Sequence, residues 1–115
     1  MCVQVKRIYE ETADADGQRV LVERMWPRGV SKEKARVDLW MKEIAPSPEL
    51  REWYHHDVAR WDEFRERYRE ELAENPGALE ILREKIASGP VTLVYATRDV
   101  AHNSATVLRD YLDAG

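Results

Sequence analysis

The chain has 115 residues, 43% apolar and 35% charged, with 18 basic and 22 acidic side chains and a formal charge of −4. That length sustains one core, so residues 1–115 are expected to form a single domain. The acidic balance argues against non-specific nucleic-acid binding, which depends on neutralising phosphates with a basic surface. Cys2 is the only cysteine. It excludes an intrachain disulfide and a cysteine-rich metal framework, and its simplest reading is an unreactive N-terminal residue. No long apolar run follows Met1, so neither a signal peptide nor a membrane span is expected, and a soluble cytoplasmic protein is the natural reading.

The first element is a strand over Val3 to Tyr9, followed by a polar connection, Glu10 to Gln18, that the turn pair Asp16-Gly17 closes. A second strand, Arg19 to Glu23, carries a Val-Leu-Val run that predicts burial on both faces. Ser31 caps a short helix through Arg36, and Asp38 to Ile44 fits either a short strand or a helical turn. Ser47-Pro48 opens a helix with Leu50 and Trp53 on its apolar face. Asp57 caps the next, in which Val58, Trp61, Phe64, Tyr68 and Leu72 recur at helical spacing and are expected in the core. Asn75-Pro76 reads as cap and first position of a further helix, ended by Gly89-Pro90. Val91 to Ala96 is a strand, and Ala101 to Leu112 a closing helix.

Strands alternating with helices predict an α/β fold, a largely parallel sheet flanked by helices in a Rossmann-like three-layer arrangement. Ligands collect beyond the carboxyl ends of such strands. Two loops leave the chain at those ends. One holds Arg24, Trp26, Pro27, Arg28 and Gly29; the other runs from Thr97 to Asn103 and holds Arg98, Asp99 and His102. Planar guanidinium donors beside an indole suit a phosphate, a carboxylate or a flat anion. The competing reading has Arg24 and Arg28 bracing the fold against acids while Trp26 plugs a core edge. In the second loop, Asp99 is expected to cap the closing helix, with His102 on its first turn as a base, an acceptor or a metal ligand. The alternative leaves Asp99 as a cap alone and pairs Arg98 with a carboxylate.

Tyr54-His55-His56-Asp57 is the third constellation. Adjacent histidines diverge by roughly 100° on a helix, or face opposite sides of a strand, so a shared metal is disfavoured. One of them could still serve as a single axial haem ligand. The ordinary expectation is that His56 packs and hydrogen-bonds near Asp57. No nucleotide-binding glycine fingerprint and no nucleophile motif is present.

The order Val-Leu-Val-Glu-Arg-Met-Trp-Pro-Arg-Gly-Val-Ser-Lys-Glu-Lys-Ala (20–35), then Ala-Pro-Ser-Pro-Glu-Leu-Arg-Glu-Trp-Tyr (45–54), resembles the YeaO-like bacterial family, domain of unknown function 488. The likeness continues through His56-Asp57, Arg60-Trp61-x-x-Phe64 and Val94-Tyr95-Ala96-x-Arg98-Asp99-x-x-His102-Asn103, and so covers essentially the whole chain. Val58 departs from it, standing where the family more often has proline. The resemblance implies a compact α/β domain of the bacterial or archaeal cytoplasm and marks Arg24, Trp26, Arg28, His56, Asp57, Arg98, Asp99 and His102 as motif residues. It implies no particular activity.

The leading expectation is therefore a domain that binds an anionic small molecule. Arg24, Arg28 and Arg98 would bind the anion, Trp26 would wall the site, and Asp57, Asp99 and His102 would stand at its rim. Were chemistry to follow, His102 or His56 would be the acid/base and Asp99 or Asp57 the orienting partner. The second expectation is a haem or metal protein ligated by His55, His56 or His102. The third is an interaction module, with four tryptophans and five tyrosines suiting a homodimer.

Overall fold

A computed structural model describes residues 3–114; Cys2 lies outside them. Four strands form one parallel sheet: β1 (Val3–Arg7), β2 (Gln18–Leu21), β3 (Leu39–Trp40) and β4 (Val91–Tyr95). Their spatial order is β1-β4-β2-β3. The last strand thus inserts between the first two, with Val5 and Val20 both level with Leu93. All five β4 residues are buried, as expected of a central parallel strand covered on both faces.

Alternation along the strands divides the interior into two layers. Val20, Val22, Val91, Leu93 and Tyr95 face the larger core. There they meet α2 (Pro48–Tyr54), α3 (Trp61–Ala73), α4 (Pro76–Ser88) and α5 (Ser104–Ala114). Leu21 and Val94 face the smaller one, with Ile8 and Ala35, the last residue of α1 (Lys32–Ala35). Trp26 and Trp40 pack there edge-to-face, 5.5 Å between ring centroids. The arrangement is the expected α/β three-layer fold. Among the described residues no helix is long and apolar enough to cross a membrane.

Several local readings shift. Residues 38–44 are both things the pattern allowed, β3 followed by a 3₁₀ turn over Lys42–Ile44. The second strand stops at Leu21, so Glu23 lies beyond it. Ser31 and Ser47 cap as expected, accepting the amides of Lys34 and Leu50. Asn75 does not cap with its side chain; its amide donates instead to the Glu43 carbonyl at 2.9 Å. Val58 leaves the apolar stripe and stands 52% exposed. It lies in a 3₁₀ turn that Asp57 caps through the Ala59 amide, ahead of α3. Phe64, Tyr68 and Leu72 are buried as the spacing requires.

The closing helix also begins later than expected. Asp99 spends its carboxylate on its own turn, accepting the amides of Ala101 (3.0 Å) and His102 (2.9 Å). Asn103 then caps α5, its Oδ1 taking the Thr106 amide at 2.9 Å. His102 therefore precedes the helix and is not on its first turn.

Beside α1, around the amino end of β2, lies a buried ionic network that local patterning did not reveal. Asp16 accepts from Arg19 Nη1 at 2.8 Å, from Lys6 Nζ at 3.0 Å and from the Ala13 amide at 3.1 Å. Arg19 Nε donates to the Ala35 carbonyl at 2.9 Å. Burial pushes the Asp16 carboxyl up, but the Ala13 amide, Lys6 and Arg19 outweigh it and hold it below the ordinary carboxylate range. The adjoining Gly17 has φ +63°, and a Cβ there would meet the Pro90 carbonyl oxygen at 2.2 Å.

Candidate functional site

A cavity of about 610 Å³ opens at the carboxyl end of the sheet. Its floor is Glu23, Ala96 and Thr97, where β2 and β4 end. Arg51, Tyr54, His55 and His56 form one wall at the end of α2, Trp61 and Phe64 another from α3, and His102 and Ser104 a third at the start of α5. That size lies within the ~300–1,000 Å³ usual for small-molecule sites. All three histidines of the chain line it.

The floor is held rigidly. Glu23 Oε2 accepts the Ala96 amide at 3.1 Å, tying the end of β2 to the end of β4. The Glu23 carbonyl accepts Trp40 Nε1 at 2.6 Å. Arg7 anchors the neighbouring turn, donating to the carbonyls of Thr97 (2.9 Å) and Ala96 (3.3 Å). Burial pushes the Glu23 carboxyl up, partly offset by the Ala96 amide and by the charges of Arg51 and His56. Burial likewise raises the Tyr54 phenol, helped by the nearby Asp99 and Asp57 carboxylates.

His102 is oriented by Asp99, its Nδ1 lying 3.0 Å from Oδ2. A carboxylate can only accept, so Nδ1 carries a proton and Nε2 is the nitrogen left for a ligand. The Trp61 ring meets the imidazole at 87°, centroids 5.1 Å apart. The His102 amide, then the Ala101 amide and the imidazole, hold the Asp99 carboxyl low against a burial effect of opposite sign. The pair has the geometry of an oriented base; among the described residues no hydroxyl or thiol is hydrogen-bonded to the imidazole, although Ser104 lines the same cavity.

His55 and His56 are on neither a helix nor a strand. Both adopt the left-handed conformation, φ +45° and +55°, just past the end of α2. Divergence on a regular element therefore does not apply, and both border the same cavity. His56 is exposed and makes no hydrogen bond to Asp57, contrary to the ordinary expectation. Among the described residues no three His, Cys, Asp or Glu side chains gather closely enough to hold a metal ion.

The arginine loop is placed elsewhere. Arg24 donates to the Pro46 carbonyl at 3.1 Å and the Ala45 carbonyl at 3.2 Å, bracing the approach to α2. It braces carbonyls, not acids. Trp26 is half-buried against the smaller core, its Nε1 donating to the Val30 carbonyl. Arg28, Arg98 and Asp57 are not among the cavity's lining residues, and both arginines are exposed. The structure thus brings together His55, His56 and His102, with Asp99 behind His102, and leaves Arg24, Trp26, Arg28, Arg98 and Asp57 outside. It adds Glu23, Arg51, Tyr54 and Trp61, which were given no site role from the sequence. The Arg51 guanidinium has no hydrogen-bond or ion-pair partner among the described residues. The tryptophans that suggested a homodimer are engaged within the chain: Trp53, for example, packs under the guanidinium groups of Arg60 and Arg67.

Fold and cavity together define a small parallel α/β domain with a half-open site of mixed polar and aromatic lining at its strand carboxyl ends. The chain belongs to the DUF488 family: the family model described as "Inactive DUF488-N3 subclade" matches residues 2–115. It is 41% identical over 112 residues to the Escherichia coli (strain K12) protein named "Uncharacterized protein YeaO", covering 97% of each chain. It is 59% identical over 54 residues to "Uncharacterized protein Rv3073c" of Mycobacterium tuberculosis (strain ATCC 25618 / H37Rv), 47% of this chain and 46% of that protein. The matched segment thus spans about half the length of that mycobacterial relative. No solved structure matches the chain.

Proposed function

We propose that this domain binds an anionic small molecule in the strand-end cavity without transforming it. One observation carries the reading: the unpaired Arg51 guanidinium and all three imidazoles of the chain line a single cavity. Guanidinium and imidazole N–H groups are donors matched to phosphate or carboxylate oxygens. Arg51 takes the role that the motif reading gave to Arg24 and Arg28, because the Arg24 guanidinium is already satisfied by two carbonyls. The description of the matching family model as inactive supports binding without turnover.

Calorimetric titration with inorganic phosphate and ribose 5-phosphate tests this. The wild type binds ribose 5-phosphate, and Arg51→Ala weakens it roughly ten-fold or more, the loss of one charge-assisted hydrogen bond. Equal affinity in the variant, or no binding of any phosphate-bearing probe by the wild type, overturns the proposal.

A further inference from the structure

Glu23 is an unusual group to find on the floor of an anion site. Its backbone carbonyl is pinned by Trp40 and its Oε2 by the Ala96 amide, so the carboxyl cannot swing aside to admit an anion. Oε1 has no donor among the described residues, although the residue lines the cavity. Arg51 and His56 are near enough to act on the carboxyl electrostatically. Neither closes an ion pair with it, so the fixed acceptor and the free guanidinium stand in the same cavity without neutralising one another. A ligand that was only an anion would satisfy Arg51 and leave Glu23 Oε1 unpaired, which costs binding.

We propose that Glu23 is a second recognition pole, and that the ligand therefore joins an anionic group to a flat ring bearing an N–H donor, as a mononucleotide does. The inference rests on the anion-binding reading above. The ring's N–H groups donate to Glu23 Oε1 while the phosphate reaches Arg51. The aromatic side chains of Tyr54, Trp61 and Phe64 supply an apolar lining against which a flat ring can lie.

Calorimetry with AMP, GMP and CMP against ribose 5-phosphate tests the inference on the unaltered protein. At least one nucleotide binds roughly ten-fold or more tightly than ribose 5-phosphate. Glu23→Gln keeps an oxygen for the Ala96 amide and presents a donor to the ligand in place of an acceptor. It removes that advantage, so that in the variant nucleotide and ribose 5-phosphate affinities fall within about two-fold of one another. Circular dichroism and a retained melting transition establish that the variant folds. Nucleotides binding no better than ribose 5-phosphate to the wild type overturn the role of Glu23 and leave the anion site standing. A nucleotide advantage that survives in Glu23→Gln does the same. Failure of every phosphate-bearing probe overturns both.

Discussion

Replacing Asp16 by alanine tests the buried ionic network directly. Both Asp16 and Arg19 side chains are 3% exposed, and the carboxylate is the only ionic partner of the Arg19 guanidinium among the described residues. Asp16→Ala leaves that guanidinium buried with the Ala35 carbonyl on Nε and nothing on either terminal nitrogen, since Nη2 already has no partner. Breaking a buried pair from one side costs about 3–5 kcal/mol. Unfolding entropy of about 2.1 cal/mol/K per residue gives about 0.24 kcal/mol/K for this length, so the melting temperature should fall by about 12–20 °C. Removing the uncompensated charge as well, in Asp16→Ala/Arg19→Met, should restore roughly half the loss or more, because Lys6 is 20% exposed and can turn to water. Acid unfolding supplies the sign. The folded carboxyl is held low, so its contribution is complete above the ordinary carboxylate range and is lost as the pH falls through that range toward the depressed value. The variant should lack that part of the acid limb. A single-variant cost below about 1 kcal/mol in urea titrations, or a double variant as unstable as the sum of both singles, refutes the argument.

Gly17→Ala should cost more than Gly29→Ala. Both glycines have positive φ, +63° and +74°, a conformational penalty of about 1–2 kcal/mol for alanine, but only Gly17 faces backbone at 2.2 Å while Gly29 has open space. Equal melting temperatures for the two variants would contradict this. Arg24→Ala should destabilise the domain by about 2 kcal/mol through its two carbonyl bonds, yet leave ribose 5-phosphate affinity unchanged in calorimetry. A selective loss of binding at unaltered stability would restore Arg24 to the site.

What was legible in the chain was local. The apolar run Val91–Tyr95 behind Gly89-Pro90, the serine caps at 31 and 47, and the turn at Asp16-Gly17 each depend on neighbours within a few residues. The identity of the site depends on strand order, which no local pattern encodes. Glu23 looks like any acid at the end of a strand until β4 inserts beside β2 and brings the Ala96 amide, 73 residues away, onto its carboxylate. Arg24 and Arg51 are equally plain in the sequence. Only the carbonyls of Ala45 and Pro46 decide that the first is consumed by structure and the second left free.

The paired histidines show the same limit from the backbone side. With no glycine between Trp53 and Arg60, nothing announces two consecutive left-handed residues, whose cost is about 1–2 kcal/mol each. The conformation is held by bonds on either side: the His55 amide closes α2 onto Arg51, the Asp57 amide returns to Tyr54, and Asp57 caps the turn that follows. Those bonds turn two imidazoles, which a regular helix would send apart, onto the rim of one cavity. Strain of this kind persists where the surrounding structure over-determines it, and it gathers at functional sites. Its place beside Arg51 and Glu23 is therefore an independent reason to regard this end of the sheet as the working end of the domain.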